Sequence, residues 1–408
     1  MGPLTGLKVV DLTHVMAGPT CTLMLADMGA DVIKIEKSPA GDDTRHSVPP
    51  KVGDEAASFL MMNRNKRGIV LDLKTPGGAQ VLSRMVKTAD VLVENFGPGV
   101  MERLGFGYEQ MKAVNPGLIY CSLSGFGRTG PYKDRRGFDL VAQAMSGIMT
   151  FTGDGPDSPP AKSGPPLSDI TAGILAAVGI LAAYAHRLKT GEGQWVETSL
   201  FEAALVQTYW QSAIALATGI APRAMGSAHP LNAPYQAFEA ADGWIVVGGA
   251  NQRNWTRMLE AIGAPELATD PRFTLNSGRM AHLKELEAEL SARFRTKPAE
   301  HWLNLLDTAG VPCGPVQDMV QALEDPQTIA REMVVEVAHP TAGPVKTIGL
   351  PIKFSETPGK VRKAAPLFGE DTYAVLREYG FDEDEIAAME RDGAIKAHHG
   401  ETTRQKVA

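Results

Sequence analysis

The sequence predicts an α/β protein with a doubly wound sheet in its first third and a smaller α+β region further along the chain. Two observations support this fold class. Short apolar runs alternate with segments of helical periodicity from residue 7 to residue 124, and a strand–helix–strand unit of this kind places its strands parallel in one sheet. The chain has 408 residues, which is more than one simple core usually accommodates, so two domains are expected.

The elements of the first third follow one another in a repeated order. An apolar run at 7–12 is followed by a loop with glycine and proline at 13–19, a helix over 20–30 and a second apolar run at 30–36. Buried parallel strands are near-continuous apolar runs of this kind. The pattern then recurs, with strands predicted at 67–73, 90–96 and 118–124 and helices at 77–89, 99–105 and 108–116. We therefore expect a doubly wound α/β domain.

The pattern of predicted secondary structure changes near Met225. Before that point a long apolar helix begins at Asp169 and is followed by a turn, the strand WVETSLF and further helix. After it, short β-like pieces precede amphipathic helices at 255–263, 280–294 and 299–310. The predicted division is a large domain at 1–200, a linker at 201–224, a small domain at 225–325, a return to the large domain at 326–395 and a mobile tail at 396–408.

Composition and charge exclude several classes of function. The net charge of −7 is unlike that of a general nucleic-acid binder, which carries a basic face. Cys21, Cys121 and Cys313 lie far apart without a CxxC pair, which argues against a zinc site or disulfides and suits a reducing cytoplasm. The chain shows no export signal, and its uncharged run at 170–185 is shorter than the roughly 20 residues of a membrane span. We expect a cytoplasmic protein with no bound metal and no membrane or nucleic-acid partner.

One carboxylate, Asp169, stands alone at the start of a helix that is otherwise small and apolar (SGPPLSDITAGILAAVGILAAY, 163–184). Asp is a common N-cap, because its side chain accepts hydrogen bonds from the free N–H groups of the first turn. The same place suits a catalytic role, since a helix N-terminus keeps a carboxylate ionised. An ionised carboxylate can attack an acyl carbon while nearby N–H groups stabilise the oxyanion. Both interpretations stay open at this point.

Other motifs in the sequence give weaker evidence about function. GFGRTG at 125–130 has the spacing of a dinucleotide-binding loop, but Pro131 and Gly137 disfavour the helix that such a loop requires. The histidines lack HExxH spacing, and the sequence contains neither a GxSxG elbow nor a Walker loop. Basic residues in three turns, at 63–74, at Arg103 and at 132–137, together suggest a site for a phosphorylated ligand.

Many segments in order, from Leu4 to about residue 390, resemble class III coenzyme A transferases of the CaiB/BaiF type. Within that family the chain resembles formyl-CoA transferases and succinyl-CoA:dicarboxylate CoA-transferases. Because the segments are numerous and keep their order, the resemblance is more specific than any one of them. They are LTHVMAGP, ADVIKIEK, NRNKRGIVLDLK, VENFGPGVMERLG, SGFGRTGPY, RGFDLVAQAMSG, SDITAG, KTGEGQWVETSL, GSAHPLNAPYQAF, DGWIVVG and GVPCGPV.

The resemblance implies an enzyme that moves CoA between carboxylic acids, with CoA as a co-substrate and no permanently bound cofactor. It implies that Asp169 attacks the donor thioester to form a mixed anhydride, and that the released CoA thiolate returns to give an aspartyl-CoA thioester. The acceptor carboxylate then takes over the CoA. It also implies a Rossmann-like large domain, a small domain and an interlocked homodimer.

Site residues carry over where the segments match. Asp139 corresponds to an acidic residue near the reaction centre or serves as a cap. His229 and Arg45 are candidate partners for a second substrate carboxylate. The residues expected to bind CoA are Val15, Met16, Ala17, Lys37, Leu71, Asp72, Leu73, Lys74, Asn95, Phe96, Gly97, Arg103 and Arg136. For Leu73 and Phe96, core packing is an equally good explanation.

Departures from the family pattern bear on the substrate. Formyl-CoA transferases carry Gln in place of Met16 and aromatic residues in place of Ser47 and Ser58, so a larger dicarboxylate such as succinate is preferred here over formate or oxalate. Acyl-CoA racemases pair the aspartate with a histidine where this chain has Phe138. The remaining alternatives are a formyl-CoA:oxalate type of transferase, a non-catalytic acyl-CoA-binding protein and, with less support, a racemase.

Overall fold

The structure is a computed structural model that describes residues 1–399. Most of the predicted mobile tail, residues 400–408, lies outside the described residues. The strands are β1 (Lys8–Asp11), β2 (Asp31–Lys37), β3 (Lys51–Val52), β4 (Glu55–Ala56), β5 (Lys66–Leu71), β6 (Val91–Glu94), β7 (Ile119–Ser124), β8 (Trp195–Ser199), β9 (Tyr235–Glu239), β10 (Trp244–Gly248), β11 (Cys313–Pro315), β12 (Val334–His339), β13 (Gly343–Ile348) and β14 (Ile395–Lys396).

Eighteen α-helices connect these strands in the described part of the chain. They are α1 (Ala17–Asp27), α2 (Ala57–Met62), α3 (Pro76–Val86), α4 (Val100–Arg103), α5 (Tyr108–Val114), α6 (Asp139–Met145), α7 (Ile148–Phe151), α8 (Leu167–Thr190), α9 (Leu200–Val206), α10 (Tyr209–Thr218), α11 (Gln252–Ala261), α12 (Asn276–Ala281), α13 (Leu283–Phe294), α14 (Ala299–Thr308), α15 (Met319–Glu324), α16 (Pro326–Ala330), α17 (Thr372–Glu378) and α18 (Glu383–Arg391).

The largest sheet has seven strands in the order β14-β5-β2-β1-β6-β7-β8. All neighbouring pairs are parallel except β14 with β5, which pair antiparallel at the edge. Without β14 this is the order 3-2-1-4-5-6 of a doubly wound fold, in which the direction of winding reverses between the first strand and the fourth. The prediction of an α/β fold with a mainly parallel large sheet is confirmed.

The two faces of this sheet have different chemistry. Val10, Ile33 and Ile69 point to one face, where helices α3, α17 and α18 complete an apolar cluster. The next residues along the strands point to the opposite face, because side chains alternate. There Asp11 and Lys34 are fully buried and charged. This polar layer lies beneath the carboxyl ends of the strands.

The described chain divides into two compact units. The first comprises residues 1–146, 164–207 and 326–399 and contains the large sheet. The second comprises residues 147–163 and 208–325. Its antiparallel sheet has the order β11-β10-β9 and packs, through Phe238, with Trp255, Phe294 and Trp302 of its helices. Cys21, Cys121 and Cys313 are all free thiols.

Helix α8 begins two residues before Asp169, where the sequence predicts its start. It runs over 24 residues from Leu167 to Thr190 and ends at Gly191, whose φ of +79° is a left-handed cap that favours glycine. The helix is long and apolar enough to span a membrane, whereas its uncharged run at 170–185 by itself is too short. The core helices of other proteins meet the same criterion of length and composition. It packs closely on α1, because a Cβ atom at Gly173 would lie 2.6 Å from the Ala17 carbonyl oxygen.

Candidate active site

Two loops meet where the winding of the large sheet reverses. One follows β1 and contains His14, and the other follows β6 and contains Asn95. The Asn95 side chain joins them: its Oδ1 accepts a hydrogen bond from the His14 backbone N–H (2.9 Å), and its Nδ2 donates to the His14 carbonyl oxygen (2.8 Å). Ligands of open α/β sheets bind outside the carboxyl ends of the strands at such a reversal.

A buried network of charges anchors the loop after β1. Asp11 accepts hydrogen bonds from the backbone N–H and the hydroxyl of Thr13 (2.9 and 2.5 Å). Lys34 donates to the Thr13 carbonyl oxygen and to Asp42, both at 2.8 Å. Asp42 in addition accepts from the Val15 N–H (3.2 Å). Asp11, Lys34 and Asp42 are fully buried, so each depends on its partners for compensation of its desolvation.

The members of this network shift one another's pKa values. Burial alone would raise the pKa of Asp11, but Lys66 and Lys34 lower it overall. Burial of Lys34 is outweighed by Asp11 and Asp42, which raise the pKa of its ammonium group. Burial would also raise the pKa of Asp42, yet Lys34 holds it well below its usual range. Burial lowers the pKa of Lys66 to about 8. The two carboxylates therefore stay ionised, and the loop stays anchored.

Val15 bends this loop towards the space above the sheet. Its φ is +68°, a conformation that a β-branched residue adopts only when its surroundings enforce it. The hydrogen bond from its N–H to Asp42 is one such constraint. Val15, Met16 and Ala17 line the cavity described next, and α1 begins at Ala17.

Two cavities lie above these loops, and they share His14, Lys37, Phe96 and Val100 in their walls. The larger has a volume of about 440 Å³, and the smaller about 260 Å³. The larger is lined by His14, Val15, Met16, Ala17, Lys37, Asp43, Asn95, Phe96, Gly97, Pro98, Val100, Leu123, Ser124, Gly125, Arg135, Arg136, Gly137, Phe138, Asp169 and Leu200. The smaller is lined by Leu12, His14, Ile35, Glu36, Lys37, Ser38, Leu71, Asp72, Leu73, Lys74, Phe96, Val100 and Leu104.

Asp169 is in the wall of the larger cavity but is not the N-cap of its helix. Helix α8 begins two residues earlier, at Leu167, and Pro166 precedes it without a side-chain cap. The capping hydrogen bond comes from elsewhere: Asp139 Oδ1 accepts from the Ser168 backbone N–H at 2.9 Å. The N-cap interpretation of Asp169 is therefore wrong, and its carboxylate is not committed to holding the helix end.

The surroundings of Asp169 favour its protonated form more than the sequence analysis expected. Burial and the negative charge of Asp139 raise the pKa of Asp169 to about 7. The loss of water and the second carboxylate oppose the effect of the helix N-terminus, which by itself would keep this group ionised. At neutral pH the group is therefore divided between a carboxylic acid and a poorly solvated carboxylate, which is the reactive form.

The structure brings most of the predicted CoA-binding residues to the two cavities. Arg103 lines neither: it is exposed at the end of α4 and donates to the carbonyl oxygen of Pro98 (3.4 Å), itself a lining residue. Of the predicted residues, those that line the larger cavity are Val15, Met16, Ala17, Lys37, Asn95, Phe96, Gly97 and Arg136. Those that line the smaller cavity are Lys37, Leu71, Asp72, Leu73, Lys74 and Phe96.

Arg45 and His229 have local partners. Arg45 donates to both carboxylate oxygens of Glu36 (2.7 Å each) and to the Pro366 carbonyl oxygen (2.9 Å), and its guanidinium group lies over the Phe59 ring. Because it is already paired and lines neither cavity, we withdraw the hypothesis that it meets a substrate carboxylate. His229 belongs to the second unit, where its Nδ1 accepts from the Leu231 N–H at 3.1 Å.

Several residues that line the larger cavity were not predicted as site residues, among them His14 and Arg135. His14 contacts Phe96 edge to face, and its Nδ1 lies 3.8 Å from Asp42 without a hydrogen-bond partner among the described residues. Burial, assisted by Lys34, lowers the pKa of His14, so its ring is neutral at pH 7. The guanidinium group of Arg135 lies over the rings of Phe126 and Tyr132. His14 lies beside predicted residues without a sequence signal of its own, whereas Arg135 belongs to the basic turn at 132–137 that suggests a site for a phosphorylated ligand.

Among residues 1–399, no group of three or more His, Cys, Asp or Glu side chains is arranged to hold a metal ion. The chemistry that this site can offer is that of a desolvated carboxylate beside a cavity rimmed by basic side chains. Lys37 and Arg136 supply positive charge, and Lys37 is paired with Asp43 at 2.5 Å. Such a site suits an anionic ligand with an electrophilic carbon.

Comparison with known proteins gives consistent matches over most of the chain. The model of CoA-transferase family III matches residues 4–372. The acetyl-CoA:oxalate CoA-transferase of Acetobacter aceti is 44% identical over 94% of this chain and 97% of its own. The succinyl-CoA:glutarate CoA-transferase of Mus musculus is 36% identical over 98% and 91%. A CAIB/BAIF family protein from Brucella suis, solved by crystallography, superposes with a TM-score of 0.82 at 39% identity, covering 93% of this chain and 99% of that one.

Proposed function

The chain belongs to CoA-transferase family III and is an enzyme of that class, and we propose that it transfers CoA from an acyl-CoA donor to a small dicarboxylic acid through covalent intermediates on Asp169. One observation carries the proposal: Asp169 shares a cavity wall with the loops at the switch point of the sheet. Those loops contain most of the segments expected to bind CoA.

The proposed reaction has four balanced steps. A carboxylate oxygen of Asp169 attacks the thioester carbon of the donor. The C–S bond breaks, so CoA leaves as a thiolate and a mixed anhydride of Asp169 and the donor acid remains. The thiolate attacks the aspartyl carbon, which releases the donor acid as a carboxylate and leaves an aspartyl-CoA thioester. The acceptor carboxylate attacks that thioester and again expels the thiolate. Attack of the thiolate on the acceptor's acyl carbon forms the product and regenerates Asp169, with no net transfer of protons.

The environment of Asp169 supports this role. A carboxylate in water is a weak nucleophile, and a raised pKa makes the anion more basic and more reactive. The anchored loop after β1 and the joined His14–Asn95 pair supply a rigid wall on which a substrate can be positioned, and positioning of this kind removes much of the entropic barrier.

The smaller cavity suits the nucleotide end of CoA. Leu73 and Phe96 give it apolar surfaces for an adenine ring, and Lys37 and Lys74 place ammonium groups at its edge for phosphates. Lys37 belongs to both cavities. A CoA molecule that lies along the two cavities would bring its thioester towards Asp169.

Two classes of acceptor have support. The similarity to the mouse succinyl-CoA:glutarate enzyme favours a dicarboxylate of four to six carbons, about the size of glutarate. The 44% identity to the Acetobacter aceti acetyl-CoA:oxalate enzyme favours oxalate as the second candidate. Ser47 and Ser58 do not decide between them, since neither lines the two cavities.

A panel of donors and acceptors tests the proposed function. The protein is incubated with acetyl-CoA, succinyl-CoA or formyl-CoA and with each of oxalate, succinate, glutarate and acetate, and new thioesters are identified by mass spectrometry. We expect exchange with at least one dicarboxylate and little with acetate. Absence of exchange for every pair, in protein shown to be folded, would contradict the proposal. Loss of the α-proton from a 2-methylacyl-CoA in deuterated water without exchange would indicate a racemase.

We further propose that the protein is a homodimer. Helix α10 has no buried residue in the described chain, although Tyr209, Trp210 and Leu216 are large and apolar, and Leu216 is 88% exposed. Exposed apolar surfaces of this kind are typical of an interface. Light scattering after gel filtration is expected to give about twice the 43.6 kDa of one chain, and Leu216→Glu is expected to lower that mass. A monomer for the unmodified protein would contradict the proposal.

A further inference from the structure

The glycine-rich segment GFGRTG forms the first half of a closed loop beside the larger cavity. We call residues 125–137 the glycine loop. Its two ends are in backbone contact, since a Cβ atom at Gly125 would lie 2.7 Å from the Gly137 nitrogen. Both end residues line the cavity. Gly127, which has a φ of +90°, donates its N–H to Ser124 Oγ at 2.9 Å. The loop is therefore a fixed part of the cavity wall rather than the start of a helix.

Arg128 connects this loop to the end of β6. Its guanidinium group donates to Glu94 Oε1 at 2.6 Å, and the side chains are 11% and 1% exposed. The other oxygen, Glu94 Oε2, accepts the backbone N–H of Phe96 at 2.9 Å. Asn95, between these two residues, makes the paired hydrogen bonds to His14. One buried carboxylate thus joins the glycine loop to the loop that follows β6.

We propose that Arg128 is a positioning residue for CoA binding, which acts through Glu94 to fix the backbone of residues 95–97. This inference rests on the proposed function, because residues 95–97 matter here as part of the CoA site. Arg128 itself lines neither cavity. Its effect on the ligand is exerted through the Glu94 carboxylate and the Phe96 N–H.

The energetics of burial explain why removal of Arg128 would move this segment. Burial raises the pKa of Glu94 even with Arg128 in place, and the hydrogen bonds from Ser122 and from the Phe96 N–H offset this only in part. Without the Arg128 cation, an ionised Glu94 is too costly to keep in the interior, so it would take up a proton or turn towards water. Either change weakens or breaks its hydrogen bond to Phe96. Phe96 lines both cavities, so a displacement of its backbone would change the shape of the proposed CoA site.

The chain contains a matched control at the other end of the same strand. Asp90 immediately precedes β6, pairs with Arg187 (2.7 Å), and accepts the Lys8 backbone N–H (2.7 Å). This pair has the same pattern of hydrogen bonds, an Arg–carboxylate pair whose carboxylate also accepts a backbone N–H, but it lies at the amino end of the strand and is more exposed, at 24% and 21% of the two side chains. Arg187 and Asp90 are absent from the walls of both cavities.

The test compares equilibrium binding and kinetics in matched variants. Arg128→Met is expected to weaken the binding of free CoA, measured by calorimetry, by about ten-fold and to raise KM for acyl-CoA by a similar factor, with little change in KM for the acceptor acid. Arg128→Lys, which retains a cation, is expected to recover part of that affinity. Arg187→Met is expected to lower thermal stability but to leave CoA affinity unchanged. Equal losses of affinity in the two methionine variants would overturn the inference.

A double variant covers the case in which Arg128→Met fails to fold. Glu94→Met/Arg128→Met leaves no unpaired charge in the interior and still deprives Phe96 of its acceptor, so CoA binding is expected to stay about ten-fold weaker. Binding as tight as in the unmodified protein would overturn the inference while leaving the proposed function intact. Failure of the unmodified protein to bind CoA would instead overturn the proposed function.

Discussion

Replacing Asp169 by Ala or Asn is expected to abolish CoA exchange, with a loss of at least about four orders of magnitude in kcat, while CoA still binds within about two-fold. The large effect follows from the covalent role, since every proposed step forms or breaks a bond to this carboxylate. Binding is expected to be spared because the contacts proposed for the phosphates and the adenine ring are made by other residues. New thioesters measured by mass spectrometry report exchange, and calorimetry with free CoA reports binding.

Three further measurements distinguish a nucleophile from a structural carboxylate. Asp169→Asn is expected to fold normally, because the structure shows Asp139 and not Asp169 capping α8. Asp169→Glu, which shifts the carboxylate by one methylene, is expected to retain only a small part of the activity. Digestion of protein quenched during turnover is expected to yield an adduct on the peptide that contains Asp169. Normal exchange in Asp169→Ala, or an adduct on another residue, would contradict the proposed mechanism.

The sequence predicted the large sheet well because its signals are local. The runs at 7–12, 30–36 and 118–124 are apolar and bounded by turns, and the structure has β1, β2 and β7 within those ranges apart from a terminal residue. Asp169 could be singled out as a candidate in the same way, since it is a lone carboxylate at the start of an apolar segment. These features depend on the residues next to them in the sequence and not on tertiary contacts.

The parts that the sequence did not predict depend on distant partners. The start of α8 could not be located from its own residues, because the capping oxygen belongs to Asp139, 29 positions away. Arg45 resembled a substrate ligand until the structure placed Glu36 against it. The importance of Arg128 depends on Glu94, which lies 34 positions before it. In each case a long-range contact decides the role of a side chain, and one sequence does not reveal that contact.

The rate of exchange is expected to rise with pH through about 7 and then to level off. The attacking group is the Asp169 anion, and burial together with Asp139 raises the pKa of Asp169 to about 7. Below that pH, kcat/KM for acyl-CoA should therefore fall about ten-fold per pH unit. His14, in the same cavity wall, has a lowered pKa and so loses its proton at lower pH. His14→Gln is accordingly the control, and it should keep the midpoint near 7.

Asp139→Asn is expected to move this midpoint to lower pH, because it removes the negative charge that opposes ionisation of Asp169. The asparagine oxygen can still accept the Ser168 N–H, so the cap of α8 survives. Burial still raises the pKa of Asp169, so the new midpoint should lie between 7 and the usual value for Asp, about 4. The less basic anion should also be a weaker nucleophile, which lowers the plateau at high pH. An unchanged or raised midpoint in a folded Asp139→Asn variant would show that Asp139 does not control the charge of the nucleophile.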